Sequence, residues 1–282
     1  MELKDKTCMV TGANSGIGKH TAERFADRGA KVIMLCRNKE RCERAREEVM
    51  DKTQSEDVEL LICDLSLMSS VRQTVKTFKK RYSELDVLVN NAGMISSDRE
   101  ITEEGNEKTF AANYLGHFLL TYLLIPTMKD TPSEIINVTS GAHKSGDLNF
   151  DDLQLKDPSN FGSWRAYSNS KLAQIMFTYT LSKKLKKYPI SVNSYHPGVV
   201  SSNFGSGNLF VSIFYKLFFF LMRDPNDPAE EIVNMITDPE YQNVTGKYFS
   251  KGKKKKSSKE SYDIEEQKKL WRESKRLVGL RS

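Results

Sequence analysis

Short apolar runs alternate with longer stretches of mixed polarity through about the first 200 residues. "TCMVT" (Thr7 to Thr11), "KVIMLC" (Lys31 to Cys36), "VELLI" (Val58 to Ile62), "VLVN" (Val87 to Asn90), "IINV" (Ile135 to Val138) and "ISVNSYH" (Ile190 to His196) have the length and composition of strands. Between them, residues 18–28, 39–52, 69–82, 107–128 and 164–187 place apolar side chains at helical spacing. Strands too apolar for a one-sided sheet, separated by helices, predict a parallel sheet covered on both faces, an α/β fold. Ligands of such sheets bind beyond the carboxyl ends of the strands, so the residues just after each run carry the functional information.

The first of these ends is "TGANSGIG", Thr11 to Gly18, which leads from strand to helix. Gly12 suits the sharp turn, Gly16 lets backbone approach a pyrophosphate, and Gly18 allows the helix to pack closely on the strand. The loop residues Asn14, Ser15 and Ile17 bring the helix N-terminus to the phosphates. After the second strand, where a carboxylate would hold the ribose 2′-hydroxyl of NAD, the chain reads Cys36, Arg37, Asn38. With no acid to repel a 2′-phosphate and a guanidinium able to clamp it, NADP(H) is the expected coenzyme. Asp64 follows the third strand, and Asn91, Ala92 and Gly93 follow the fourth. Singly, each of these is as readily a turn former; their shared edge gives them weight.

Two Tyr-x-x-x-Lys pairs, Tyr167 with Lys171 and Tyr179 with Lys183, lie in one helical stretch. At about 100° per residue they point roughly 120° apart, so both cannot face one cleft. Ser140 ends the fifth strand at the ligand edge, and Tyr167 begins the helix near that edge, whereas Tyr179 lies towards the opposite one. The first pair is therefore the candidate for proton transfer. A phenol ionises near pH 10 in water, too high for free exchange near neutrality, and an ammonium one helical turn away lowers that value. Ser140 would orient a substrate oxygen while Tyr167 gives or takes its proton.

In combination, TGxxxGxG, NNAG, a strand-end serine, YxxxK and a later Pro-Gly resemble the short-chain dehydrogenase/reductase family over residues 7 to about 250. The resemblance implies a Rossmann-type, doubly wound, seven-stranded parallel sheet and a Ser-Tyr-Lys site. It also implies a fourth member, Asn113 in "AANYLGHF", supporting a water-linked relay to the lysine. Asp64 would contact adenine, and Pro197, Gly198, Val200 and Ser202 would border the nicotinamide; Ser202 stands where the family usually has Thr. "CRN" at 36–38, "NYLGHFLLTYLL", "GAH", "AYSNSKLAQ" and "HPGVV" are similar to the NADP-preferring retinol dehydrogenases, which act on retinal and other lipophilic aldehydes. The opening of this chain has no counterpart to the hydrophobic anchor many of those enzymes carry. Competing expectations are a steroid or other lipid ketone reductase on the same site, and a nucleotide-binding interaction protein without turnover. Many family members pair as homodimers through their fourth and fifth helices.

Charge sets the remaining expectations. Of the net +6, residues from Lys251 onward carry twelve Lys or Arg and five Asp or Glu, a local +7, so residues 1–250 are near neutral and offer no nucleic-acid groove. The chain thus divides into a catalytic domain, 1–250, with a substrate lid around 203–224, and a basic tail, 251–282, ending in a helix. "LFVSIFYKLFFFLM", 209–222, is too short to span a bilayer. With the lysine run at 251–259 it forms a candidate peripheral membrane contact, for a chain on the cytoplasmic face of an endoplasmic reticulum-like membrane. Cys8, Cys36, Cys42 and Cys63 match no zinc spacing; Cys8, Cys36 and Cys63, in or beside apolar runs, read as buried free thiols, and a reducing compartment is expected. His143 and His196 lack a further ligand at metal-binding spacing, and no metal is expected.

Overall fold

A computed structural model describes residues 1–200 and 223–281. The strands are β1 (Thr7–Thr11), β2 (Lys31–Cys36), β3 (Val58–Ile62), β4 (Val87–Asn90), β5 (Ser133–Val138), β6 (Ile190–His196), β7 (Tyr248–Ser250) and β8 (Lys253–Lys255). They form one sheet in the order β3-β2-β1-β4-β5-β6-β7-β8. The seven parallel strands expected are present, and β8 adds a short antiparallel edge to β7. Successive residues along each inner strand serve opposite faces. Met9, Ile33, Leu88 and Ile135 pack with Phe78, Phe118 and Phe177 on one side. Val10, Met34, Val89 and Ile136 pack with Phe25, Val49 and Ile232 on the other. Burial on both faces is why these runs do not alternate with polar residues.

The helices are α1 (Gly16–Asp27), α2 (Lys39–Thr53), α3 (Met68–Arg81), α4 (Lys108–Phe110), α5 (Gly116–Leu124), α6 (Ser163–Lys184), α7 (Asn226–Thr237) and α8 (Ile264–Leu277). The single helix expected over 107–128 is interrupted. Glu107 caps α4 by accepting from the backbone N–H groups of Thr109 and Phe110, and a π-helical turn, Ala111–Leu115, precedes α5. Residues 109–111 and 113–121 are all buried, so no apolar stripe along them marks the change of register. A Cβ on Gly116 would collide with the carbonyl of Leu65, which explains glycine where the helix resumes.

Residues beyond 250, expected as a basic tail ending in a helix, carry the strand β8 and the helix α8. The lysines of β8 are exposed on the sheet edge, where charge discourages further strand pairing. Asp263 caps α8 by accepting from the N–H groups of Glu265 and Glu266. Leu270 of α8 is 1% exposed, Trp271 packs against Phe118 and Phe177 at 5.2 and 6.1 Å between rings, and Ser274 Oγ lies 2.7 Å from Tyr114 OH. Thus α8 covers aromatic faces of α5 and α6, the two helices through which many family members pair.

A correction concerns the cysteines. Cys36, ending β2, and Cys42, on the inner face of α2, are joined as a disulfide with Cα atoms 6.2 Å apart, within the usual reach of such a bond, while Cys8 and Cys63 are free and buried. Ser202 and the apolar stretch 209–222, with most of the expected lid, lie outside the described residues.

Candidate active site

The carboxyl ends of β1 and β4 flank the point where strand order reverses, and a cleft of about 540 Å³ opens there. Gly12 has φ +66°, a conformation that disfavours any side chain, and turns β1 into the loop. Gly18 lies beneath that turn: a Cβ there would stand 2.5 Å from Gly12 O and 2.5 Å from Asn91 Nδ2. Its predicted packing role follows directly, and it does not line the cleft. Asn14, Ser15, Gly16 and Ile17 do line it. Ser15 occupies the N-cap of α1 yet makes no capping hydrogen bond, which leaves its hydroxyl and the helix N-terminus for a phosphate.

Arg37 and Asn38 also line the cleft, joined by Arg41, which sequence reasoning missed because it lies within α2. Asn38 also caps α2, its Oδ1 accepting from Arg41 N–H at 2.9 Å, so the strand end, the cap and both guanidinium-bearing residues form one unit. The Cys36–Cys42 bond closes this unit. Lys19, at the start of α1, is engaged by Glu48 and Glu23. Asp64 lines the cleft, and its carboxylate also accepts from the N–H and hydroxyl of Ser66, at 2.9 and 2.6 Å. Asn91 braces β4 to β1 by donating from Nδ2 to Thr11 O at 2.9 Å, and Ala92 and Gly93 line the cleft beside it. The glycine turn, an uncommitted helix N-terminus and two arginines at the adenosine end fit a dinucleotide with a 2′-phosphate.

At the other end the cleft is lined by Ser140, Tyr167, Lys171, Pro197, Gly198 and Val200. Ser140 caps the short helical turn after β5, its Oγ accepting from Ala142 N–H at 3.2 Å. Lys171 is 3% exposed; its Nζ donates to Val138 O at 3.2 Å and Gln174 Oε1 at 3.0 Å, and lies 5.6 Å from the centre of the Tyr167 ring. Burial pulls its pKa from 10.5 to about 7. The rival pair is turned away: Tyr179 OH lies 2.6 Å from Ser257 Oγ, and Lys183 donates to Gln267 on α8. Asn113 is fully buried behind the wall. Its amide exchanges hydrogen bonds with the Met94 backbone, both 2.8 Å, and donates to Ser170 Oγ at 3.0 Å, beside Lys171.

The two histidines set aside as metal ligands brace these loops. His196 Nδ1 faces the N–H groups of Gly141 and Gly198, at 3.2 and 3.4 Å, tying the serine loop to the Pro-Gly segment. His143 Nε2 accepts from Ser258 N–H at 3.1 Å while its Nδ1 donates to Ser140 O at 2.7 Å, which ties the serine loop to the C-terminal segment. Burial lowers both pKa values, His196 to about 4. Among the described residues no cluster of three or more potential metal ligands exists.

Comparison with known proteins places this geometry. The sequence profile of the short chain dehydrogenase family matches residues 6–151 and 156–208. Retinol dehydrogenase 13 of Homo sapiens is 38% identical over 99% of this chain and 86% of its own length. Its Mus musculus counterpart is 40% identical over 99% and 85%. Among solved structures, an uncharacterised protein from Mycobacterium paratuberculosis superposes with a TM-score of 0.79 at 29% identity, covering 99% of this chain and 95% of that one.

Proposed function

Because this chain belongs to the short-chain dehydrogenase/reductase family, we propose that it is an NADP-dependent oxidoreductase acting on a lipophilic aldehyde, ketone or alcohol, in the manner of the retinol dehydrogenases it is similar to. The observation that carries the reading is the convergence of Ser140, Tyr167 and Lys171 on one end of a cleft whose other end holds Arg37 and Arg41.

When bound, NADPH supplies the hydride. Arg37 and Arg41 would hold its 2′-phosphate by charge-assisted hydrogen bonds, and the α1 N-terminus would receive the pyrophosphate. Ser140 donates its hydroxyl proton towards the substrate oxygen and fixes its direction. Tyr167 gives that oxygen its proton in reduction and takes it back in oxidation, with Lys171 stabilising the phenolate between turnovers. Asn113 supports the relay that reprotonates the pair. Pro197, Gly198 and Val200 border the nicotinamide end, and Ser202 is assigned there by sequence alone. Met94, Ile95 and Val200 give the cleft apolar surface, and Trp164 stands 56% exposed with its ring 6.0 Å from that of Tyr167, which favours an apolar substrate.

No helix among the described residues is long and apolar enough to cross a membrane. We place the chain peripherally on a cytoplasmic membrane face, with the exposed lysines Lys253, Lys254 and Lys255 towards anionic lipid.

The decisive assay is oxidation of NADPH, with NADH as control, against retinal, medium-chain aldehydes and steroid ketones, using wild type and Tyr167→Phe. Turnover of a lipophilic carbonyl that disappears in the variant while NADPH still binds supports the reading. Tight NADPH binding with no turnover on any member overturns the substrate class.

A further inference from the structure

His117 is a titratable group four residues beyond Asn113 to which this mechanism gives no role. It is 1% exposed, and burial together with the charge of Lys171 lowers its pKa to about 4, so the ring is neutral. Its Nε2 lies 2.9 Å from Thr11 Oγ and its Nδ1 lies 2.9 Å from the backbone carbonyl of Asn113.

The proton positions follow from the partners. Thr11 Oγ already accepts from the N–H groups of Asn91 and Ala92, each at 2.9 Å, so its own proton is directed to His117 Nε2. The imidazole then carries its proton on Nδ1 and donates to Asn113 O. A continuous chain results: the Asn91 and Ala92 amides, the Thr11 hydroxyl, the His117 ring and the Asn113 carbonyl. One end is the floor of the coenzyme cleft, and the other is the residue assigned to the proton relay.

Asn113 has little else to offer that relay. Its side-chain amide is committed to Met94 and Ser170, which leaves the backbone carbonyl as the acceptor that faces His117. The carbonyl sits in the π-helical turn Ala111–Leu115, where the hydrogen-bond register differs from the α-helix that follows. We propose that His117 is a positioning residue that aims the Asn113 carbonyl for the water-linked relay to Lys171 and ties that aim to the loop beneath the coenzyme. The inference rests on the oxidoreductase reading above. It adds a specific residue and a specific tautomer.

Two readouts test it separately. Nitrogen-15 NMR of histidine-labelled protein, free and with NADP bound, should show His117 protonated on Nδ1 and titrating far below the usual histidine range. A ring protonated on Nε2 overturns the proposal whether or not any substrate turns over. In turnover, His117→Asn and Thr11→Val should lower kcat by about tenfold while KM for NADPH changes less than about twofold. The solvent deuterium isotope effect on kcat should rise and the effect of deuterated NADPH should fall, because proton supply replaces hydride transfer as the slow step. Unchanged isotope effects in folded variants, or equal losses in coenzyme affinity and kcat, overturn it as a relay function. A wild type that turns over nothing on the panel counts against the substrate reading, and the NMR result still decides the tautomer and hence the chain.

Discussion

Coenzyme binding should draw a proton into the site, and Lys171 supplies the reason. Its ammonium is buried, donates only to uncharged oxygens of Val138 and Gln174 among the described residues, and titrates at about 7. Near pH 7.5, roughly a quarter of free molecules therefore carry the charge. A bound dinucleotide brings phosphate charge and ribose hydroxyls into the same cleft, and both favour the ammonium. If its pKa then rises to roughly 9, uptake near pH 7.5 is about 0.7 proton per site. The sign is fixed by linkage: the bound state holds more protons, so affinity for NADPH falls as pH rises from about 7 to 9, by up to about tenfold per unit. Titration calorimetry in phosphate and in Tris, buffers of unlike ionisation enthalpy, measures the proton number directly. Lys171→Met should abolish the uptake, and NADH should reproduce it because the 2′-phosphate is not its source. No uptake between pH 7 and 8.5, or full uptake surviving in the methionine variant, would refute the reasoning.

Other consequences are more local. Arg37→Ala and Arg41→Ala should each weaken NADPH binding by about ten- to a hundredfold, the value of a charge-assisted hydrogen bond of roughly 1.5–3 kcal/mol, with NADH nearly unaffected; fluorescence titration separates the two coenzymes. Ending the chain after Tyr262 removes α8 and bares the aromatic surface of Tyr114, Phe118 and Phe177. Sedimentation velocity should show self-association and calorimetry a lower Tm, while the milder Leu270→Ala should cost about 2–5 kcal/mol by denaturant titration and leave the protein monomeric. Gly18→Ala should lose coenzyme binding and stability together, because the added methyl meets the Gly12 backbone at 2.5 Å; normal affinity would remove Gly18 from the turn's support.

Much of this arrangement was legible because the fold repeats a simple rule. Runs buried on both faces mark parallel strands, and the residue types at their ends mark the ligand edge, so Gly12, Arg37, Ser140 and Tyr167 fell into place from position alone. The second Tyr-x-x-x-Lys pair was separable by helical angle, and the structure puts Tyr179 against Ser257 and Tyr262 as that angle requires. What escaped depends on contacts distant in sequence. Trp271 and Leu270 occupy an amphipathic helix whose partner surface lies far earlier in the chain, on α5 and α6, and a lysine-rich run ahead of it disguised the strand β8. Arg41 was hidden because position within a helix does not reveal which end of the sheet it overhangs. His117, His143 and His196 were individually bland; only the pairing of each ring nitrogen with a backbone or hydroxyl partner distinguishes a brace from filling.

The electrostatics favour turnover over simple nucleotide storage. Lowering a lysine from 10.5 to about 7 opposes folding by on the order of 5 kcal/mol below pH 7, where both folded and unfolded chains carry the charge. That penalty is relieved as pH rises from about 7 to 10.5, so most of it is present near neutrality. The same wall holds Gln174, whose Nε2 is buried and has no hydrogen-bond partner among the described residues. Gripping a dinucleotide needs neither: the glycine turn, the α1 N-terminus and the Arg37–Arg41 pair lie at the other end of the cleft and meet that need. An apolar side chain at position 171 would pack there at lower cost. A buried amine with no acid beside it among the described residues, held close to a phenol at the nicotinamide end, is instead what a proton-transfer site requires. The fold accepts this unfavourable burial at the place where the reaction moves a proton.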